Sequence, residues 1–453
     1  MYRLRSLSLA CLLAVAVFFA GCDDNKDSAK LPKLTTTDVS EFTSNRAISG
    51  GNITDEGGYE VNVRGICWRT DRTPTVNDII TTDGRGTGSF TSIMINLMPD
   101  TKYYVRAYAT NNNGTAYGKE VSFTTGTLKP EDMLPIYRDI IRYSYSIDAS
   151  LTHEANVFPA IYNYSFGAND INVAGLWNRC YDLILDADAV LYLMDTDGYL
   201  AQNVKDGIKA EAYYYIAYAY YVLLNYFGEV PLLPQEPFSS PRAPRDAIEH
   251  AILVACDEAY GRAGTETSVV NRYEILQLKA RIMLGHGDYV ETIECLQEII
   301  NSGKYTLGNP SWGTDAISQG IDVSLLGSFP SGFFKGNLVY PMRYAETELL
   351  YAEALLGMWN TVAAIERVNM FYTTQGMAEV LPPSATTAEI QAEIAKLWNS
   401  QLNKEGHTFS HLKRAGVFLN TLEQYGAQPR HELLPIPVTA IETNPYLTQN
   451  PGW

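Results

Sequence analysis

Two hydrophobic periods divide this chain. Between residues 35 and about 126, short apolar-polar alternations recur among Thr, Gly, Asn and β-branched residues. They predict strands over Tyr59 to Trp68, Ser89 to Leu97, Lys102 to Thr110 and Lys119 to Thr125, since period two is the mark of a half-buried strand. Asn111-Asn112-Asn113-Gly114 predicts a hairpin between the last two. Gly84-Arg85-Gly86-Thr87-Gly88 superficially resembles a phosphate loop, but it leads into a strand rather than a helix and so reads as a turn. Gly126 to Glu131 reads as a linker. Beyond it the period becomes helical. Trp177, Tyr181, Ile184, Leu185, Ala189 and Leu193 form one stripe of a helix over Leu176 to Met194. Lys205 to Phe227 is apolar nearly all round, which predicts an interior helix. Further helices are predicted over Asp246 to Arg262, Glu274 to Leu284, Val290 to Asn301, Tyr344 to Met358, Thr361 to Thr373 and Thr387 to Lys404. Glycine-containing turns at residues 285–289 and 357–360 each join two helices. Paired helices of this kind suggest a tetratricopeptide-like array, although no strict 34-residue period survives.

The last twenty residues break both periods. Leu434-Pro435-Ile436-Pro437, then Asn444-Pro445, then Asn450-Pro451-Gly452-Trp453, contain too many prolines for helix. They are also too apolar for a disordered tail. The stretch predicts a rigid extended strap lying against helices.

At the other end, Arg3 and Arg5 precede eleven apolar residues, Leu9 to Phe19. That is an export leader, too short to span a bilayer. Phe19-Ala20-Gly21-Cys22 resembles a lipobox, so cleavage before Cys22 and lipid attachment at Cys22 are expected; the alternative is an ordinary secretory signal. Several acyl chains would anchor the protein stably. Asp23 to Lys33 reads as a polar tether.

Composition narrows the partners. Apolar residues make up 46% of the chain and charged residues 19%, as in a globular protein, and the net charge is −17. Such acidity argues against nucleic acid and anionic membrane surfaces as partners. It permits neutral ligands such as sugars, and 31 tyrosines suit saccharide contact as well as packing.

Catalytic patterns are missing: the chain has no Gly-x-Ser-x-Gly, Walker loop or His-Glu-x-x-His. His407 and His411 share a helical spacing that would suit a metal, yet a solvated or hydrogen-bonded pair is the simpler reading. Asp195-x-Asp197-Gly198 opens like a calcium loop but lacks the later Glu, so a turn is expected. Cys67, Cys180, Cys256 and Cys295 are far apart in apolar surroundings and read as buried free thiols.

Two resemblances extend this reading. Leu97-Met98-Pro99-Asp100-Thr101-Lys102-Tyr103 resembles the tyrosine corner of fibronectin type III sandwiches. Residues 131–453 resemble the SusD/RagB family of outer-membrane nutrient-binding lipoproteins. The residues that carry this likeness are Ala210-Glu211-Ala212, Ala219-Tyr220 and Phe227-Gly228-Glu229-Val230-Pro231-Leu232, then Gly287-Asp288-Tyr289, Arg343, Ala345-Glu346 and Tyr351-Ala352-Glu353-Ala354, and the proline-rich tail. Two positions depart from the family's run near its end: Thr408 stands for an Arg and His411 for an Asp, which implies the loss of a buried ion pair. The stretch between Tyr305 and Arg343 is also short.

The expected architecture is mainly α. A signal peptide (1–21) and lipidated tether (22–34) lead to a small immunoglobulin-like β-sandwich (35–126), which precedes a helical domain of tetratricopeptide-like pairs (131–453). The resemblance implies a surface lipoprotein that binds a glycan or other nutrient and delivers it to a SusC-like TonB-dependent β-barrel transporter. It implies no cofactor and no catalysis, and Asp23, Asp24 and Asp27 look like a surface-export mark. Aromatic and amide side chains in two loop regions are the candidate ligand contacts: Trp312, Phe333, Phe334 and Tyr340, and Tyr162, Tyr164 and Asn169. The alternative is a protein-binding or adhesion lipoprotein, for which the added β region and the shortened loop speak.

Overall fold

A computed structural model describes residues 30–40, 42–94, 97–233, 240–264, 270–307, 316–318, 321–322 and 338–453. The first part is built of eight strands: β1 (Lys33–Ser40), β2 (Ala47–Asp55), β3 (Val63–Arg69), β4 (Ile79–Ile80), β5 (Gly88–Met94), β6 (Lys102–Asn111), β7 (Gly114–Tyr117) and β8 (Val121–Thr124). They form two antiparallel sheets, β1-β2-β5 and β4-β3-β6-β7, with β8 also paired to β6. The alternation explains the pairing. Ile66 and Trp68 of β3, Tyr103, Val105 and Ala107 of β6, Ala47 of β2 and Met94 of β5 point into one shared core. The Tyr103 hydroxyl accepts a hydrogen bond from the Met98 amide at 2.8 Å.

The predicted hairpin exists but joins different partners. Asn111 pairs with Gly114, so the turn connects β6 to β7, and β8 returns to the other half of β6. The glycine-rich run is a turn as expected. Gly84, Gly86 and Gly88 all have positive φ, and the Arg64 guanidinium donates to the Thr87 carbonyl at 2.8 Å.

Thirteen α-helices are assigned among the described residues. They are α1 (Met133–Leu151), α2 (Pro159–Tyr162), α3 (Ile171–Thr196), α4 (Gln202–Phe227), α5 (Arg245–Arg262), α6 (Arg272–His286), α7 (Tyr289–Asn301), α8 (Tyr344–Gly357), α9 (Thr361–Thr373), α10 (Thr387–Leu402), α11 (Thr408–Arg414), α12 (Phe418–Leu422) and α13 (Val438–Thr443). A two-residue pair, β9 (Ile321–Asp322) with β10 (Leu338–Val339), stands between α7 and α8. From α3 to α9 each helix packs on the next, and α1 lies on α3. One hydrophobic core runs through them. α4 is the interior helix: thirteen of its residues are buried, and its tyrosines 214, 215 and 218 pack around Tyr137 of α1. Turns hold the helices close. A Cβ on Gly357 would lie 2.5 Å from the Tyr289 ring, so the glycine lets that ring seat against the end of α8, and a larger residue there would push it aside.

The C-terminal strap is confirmed, with one correction. Leu434 donates to the Tyr226 carbonyl at 2.7 Å, and the Asn450 amide bridges Phe227 O (3.0 Å) and Leu434 O (2.7 Å). Between these extended parts lies the short helix α13. Pro437 precedes it, where the fixed φ of proline starts a helix and no amide donor is missed.

Buried ionic groups tie distant helices together. Arg281 of α6 and Glu346 of α8 are both almost fully buried and make two hydrogen bonds of 2.7 Å. Glu353 of α8 receives Trp398 (2.5 Å) and Arg414 (3.3 Å), with His411 Nδ1 at 3.1 Å. His407 and His411 are therefore neither solvated nor a joint ligand pair: both are buried, and each faces a different glutamate. The two departures in this segment have replacement contacts, because Thr408 donates to Glu154 at 2.5 Å and His411 faces Glu353. No group of three or more His, Cys, Asp or Glu suited to a metal occurs among the described residues. Asp197 caps a turn, its Oδ1 accepting from the amides of Tyr199 (2.8 Å) and Leu200 (2.7 Å). Cys67, Cys180 and Cys256 are buried and Cys295 is half-buried, all as free thiols.

Candidate functional site

The loop between α1 and α3 folds back on itself and brings aromatic rings together. His153 follows α1 with φ of 61°, a left-handed turn that reverses the chain. Phe158 and Pro159 start α2, where proline at the first helical position is favourable. Tyr164 is again left-handed, φ 49°, and its hydroxyl donates to the Leu151 carbonyl. Asp170 then caps α3, its Oδ1 accepting from Asn172 N at 2.8 Å and Val173 N at 3.2 Å.

The result is a stack. The His153 imidazole lies 4.0 Å from the Tyr162 ring centre and 4.1 Å from that of Tyr425, nearly parallel to the latter at 15°. Tyr425 comes from the turn after α12, which Gly426 closes with φ of 102°. Beneath, Tyr164 stacks on His431 at 4.8 Å, and Phe166 meets Trp453 at 4.9 Å. The Trp453 indole N–H donates to the carbonyls of Arg430 and Leu433, both at 3.0 Å. Tyr425 is 49% exposed, while Tyr164 and Phe166 are buried. An aromatic ridge thus rises from the core to the surface.

Both imidazoles are held neutral. Burial lowers the pKa of His153, and burial with the nearby Arg430 brings His431 down to about 4. A neutral imidazole between tyrosines keeps the stack an uncharged π surface near neutral pH. His153 Nε2 is buried with no hydrogen-bond partner among the described residues.

The sequence candidates divide three ways. Tyr162 is in the stack, half-buried, and Asn169 is exposed nearby in the chain. Tyr164 is 7% exposed with its hydroxyl engaged, so it supports the ridge from below rather than offering a face to a ligand. Tyr340 is half-buried four residues ahead of α8. Trp312, Phe333 and Phe334 lie outside the described residues, as does Cys22. The sequence reading missed Tyr425 and Trp453 as partners of the 153–166 loop. The signal was local: a tyrosine beside the turn glycine Gly426, and a tryptophan closing a proline-fixed strap.

Comparison with known proteins decides the fold. Residues 120–272 match the SusD-like family described as "Starch-binding associating with outer membrane". A laminarin-binding SusD-like protein superposes with a TM-score of 0.58 at 17% identity, over 72% of this chain and 99% of that one. The bulk of this chain has the SusD fold. A SusD superfamily protein from Bacteroides thetaiotaomicron gives a TM-score of 0.57 at 17% identity, over 72% of this chain and 100% of that one. Surface glycan-binding protein A from Bacteroides fluxus gives 0.55 at 17%, over 72% and 99%. A search of curated proteins by sequence gives no match. In this SusD fold, no described helix is long and apolar enough to cross a membrane.

Proposed function

We propose that this chain is a surface lipoprotein that captures a glycan and delivers it to a TonB-dependent outer-membrane transporter of the SusC type. The observation that carries the reading is the Tyr425–His153–Tyr162 stack, which presents partly exposed, uncharged aromatic rings on a rigid support. Such rings hold the C–H faces of sugars, while neighbouring amides such as the exposed Asn163 and Asn169 serve their hydroxyls. The mechanism is capture and release, with no bond broken. The family description and the names of two structural neighbours favour a glycan as the ligand class. The leader and Cys22 support a lipid anchor, and Asp23, Asp24 and Asp27 after it support its facing the cell exterior.

Within this reading the boundaries are 1–21, 22–34, 35–126 and 131–453. The β part is an immunoglobulin-like sandwich of fibronectin type III character that extends the helical domain from the membrane. Its strand order and the Tyr103 hydroxyl bound to the upstream Met98 amide support that assignment. The successive helix pairs are tetratricopeptide-like in their short turns and next-neighbour packing.

The test is native gel electrophoresis through laminarin, amylopectin and other neutral polysaccharides. Retardation of the wild type by at least one of them, clearly reduced in Tyr425→Ala, is expected. Equal mobility in every gel would remove glycan capture.

A second reading, protein binding, rests on two adjoining turns. Val290 (52% exposed), Met358 (46%), Trp359 (81%) and Val362 (63%) are exposed apolar residues at or next to the α6–α7 and α8–α9 turns, which meet where Gly357 lies against the Tyr289 ring. Such residues suit a protein contact, the transporter included.

A further inference from the structure

Away from the aromatic ridge, α7 carries a polar stripe. Glu294, Gln297, Glu298 and Asn301 occupy positions i, i+3, i+4 and i+7, which places all four on one helical face. With Tyr273 of α6 and Ser302 they line a shallow, open hollow of about 520 Å³.

The hollow is preorganised. Glu298 is fixed from both sides, by Arg272 Nη2 at 2.8 Å and by the Tyr260 hydroxyl at 2.9 and 3.0 Å from its two oxygens. Tyr273 is held edge-on by Tyr305 at 5.7 Å, and Tyr305 in turn stacks on Tyr344 of α8. The Lys304 ammonium lies 5.4 Å from the Tyr273 ring centre. By contrast, the Gln297 and Asn301 side chains are exposed and make no hydrogen bond within the described residues.

The chemistry selects the ligand. Arg272 already balances the Glu298 charge, so that carboxylate offers acceptor atoms rather than a cation site. Glu294 disfavours anions. Two amides supply donors and acceptors together, and an aromatic ring lies beside them. We infer that this hollow is a second saccharide-binding subsite, separate from the Tyr425 ridge, that holds a neutral sugar through Gln297, Asn301, Glu298 and Tyr273. The ligand class rests on the reading of the protein as a glycan binder, whereas the location does not depend on the ridge.

The experiment is isothermal titration with six-unit malto- and laminari-oligosaccharides. It compares wild type, Tyr425→Ala, Gln297→Ala/Asn301→Ala and the triple variant, with thermal melts to show that each is folded. The amide pair is exposed and makes no hydrogen bond among the described residues, so its removal should leave the melting temperature unchanged. Residual binding in Tyr425→Ala that weakens at least tenfold in the triple variant supports the subsite. Binding lost entirely in Tyr425→Ala, or residual binding indifferent to the amide pair, overturns the subsite and leaves the ridge standing. Binding indifferent to Tyr425→Ala but lost in the amide pair variant sinks the ridge and keeps the hollow. A wild type that binds neither series overturns both.

Discussion

Arg281 on α6 grips Glu346 on α8 through two parallel hydrogen bonds, Nε to Oε1 and Nη2 to Oε2, each 2.7 Å. Gln277 adds a third donor to the same carboxylate. Burial alone pushes the Glu346 carboxyl up, yet Arg281 and His407 outweigh it and hold it below its ordinary value. A buried pair adds little over well-packed apolar residues, but breaking it strands a charge. Arg281→Met and Glu346→Leu alone should therefore each cost about 3–5 kcal/mol in urea unfolding, and the double variant much less than their sum. Additive losses would mean that the pair does not act as a unit.

Glu353 gives a pH dependence with a definite sign. Burial pushes its carboxyl up, but Arg414 and His411 prevail and bring it to about 2. A carboxyl depressed in the folded state stabilises above its unfolded pKa, and that contribution fades as pH falls towards the folded value. Glu353→Gln should be less stable than wild type by about 2–4 kcal/mol at pH 7. The gap should narrow between pH 5 and pH 3 in thermal melts; a constant gap would contradict the assignment.

Asp186 has the opposite sign. It lies on α3, where Asn45 of the β part donates to it, and Arg46 faces Asp182 one turn away. Burial, with Asp182 and Asp132 beside it, raises Asp186 to about 7. A raised carboxyl costs stability once pH climbs past its unfolded value, and the full cost is reached above its folded value. Asp186→Asn keeps an acceptor for Asn45 and removes the charge. It should match wild type near pH 4 and exceed it by roughly 1–2 kcal/mol at pH 8. Equal melting temperatures at both pH values would refute this.

In the β part, Tyr103→Phe leaves the Met98 amide without its 2.8 Å partner while sparing the ring contacts. The expected cost is about 1–3 kcal/mol, read by denaturation of the chain with the Trp68 signal, which sits in the same core.

These cases show what the sequence carried and what it left open. Helix periodicity located α3 to α10 within a few residues, because each buries an apolar face or, like α4, its whole surface. Thr361–Thr373 and Tyr344 were read at their observed limits, since Asn360 and Arg343 leave helical geometry just before them. Pairing was less legible. The choice between β7 and β8 as the partner of Asn111 depends on which half of the ten-residue β6 each strand meets, and local pattern does not encode that. The ridge was legible on one side only. The 153–166 loop advertised its aromatics, whereas Tyr425 and Trp453 reach it through tertiary contacts spanning more than 250 residues of chain. The fate of His411 was likewise hidden, because its partner Glu353 lies on a helix 58 residues away.

The central claim is that the Tyr425–His153–Tyr162 ridge binds a glycan. Isothermal titration of wild type and Tyr425→Ala with oligosaccharides of the polysaccharide that retards the wild type tests it most directly. The account predicts at least a tenfold weaker affinity in the variant, about 1.4 kcal/mol, with an unchanged melting temperature because Tyr425 is half exposed. Identical affinities for the two proteins would contradict it.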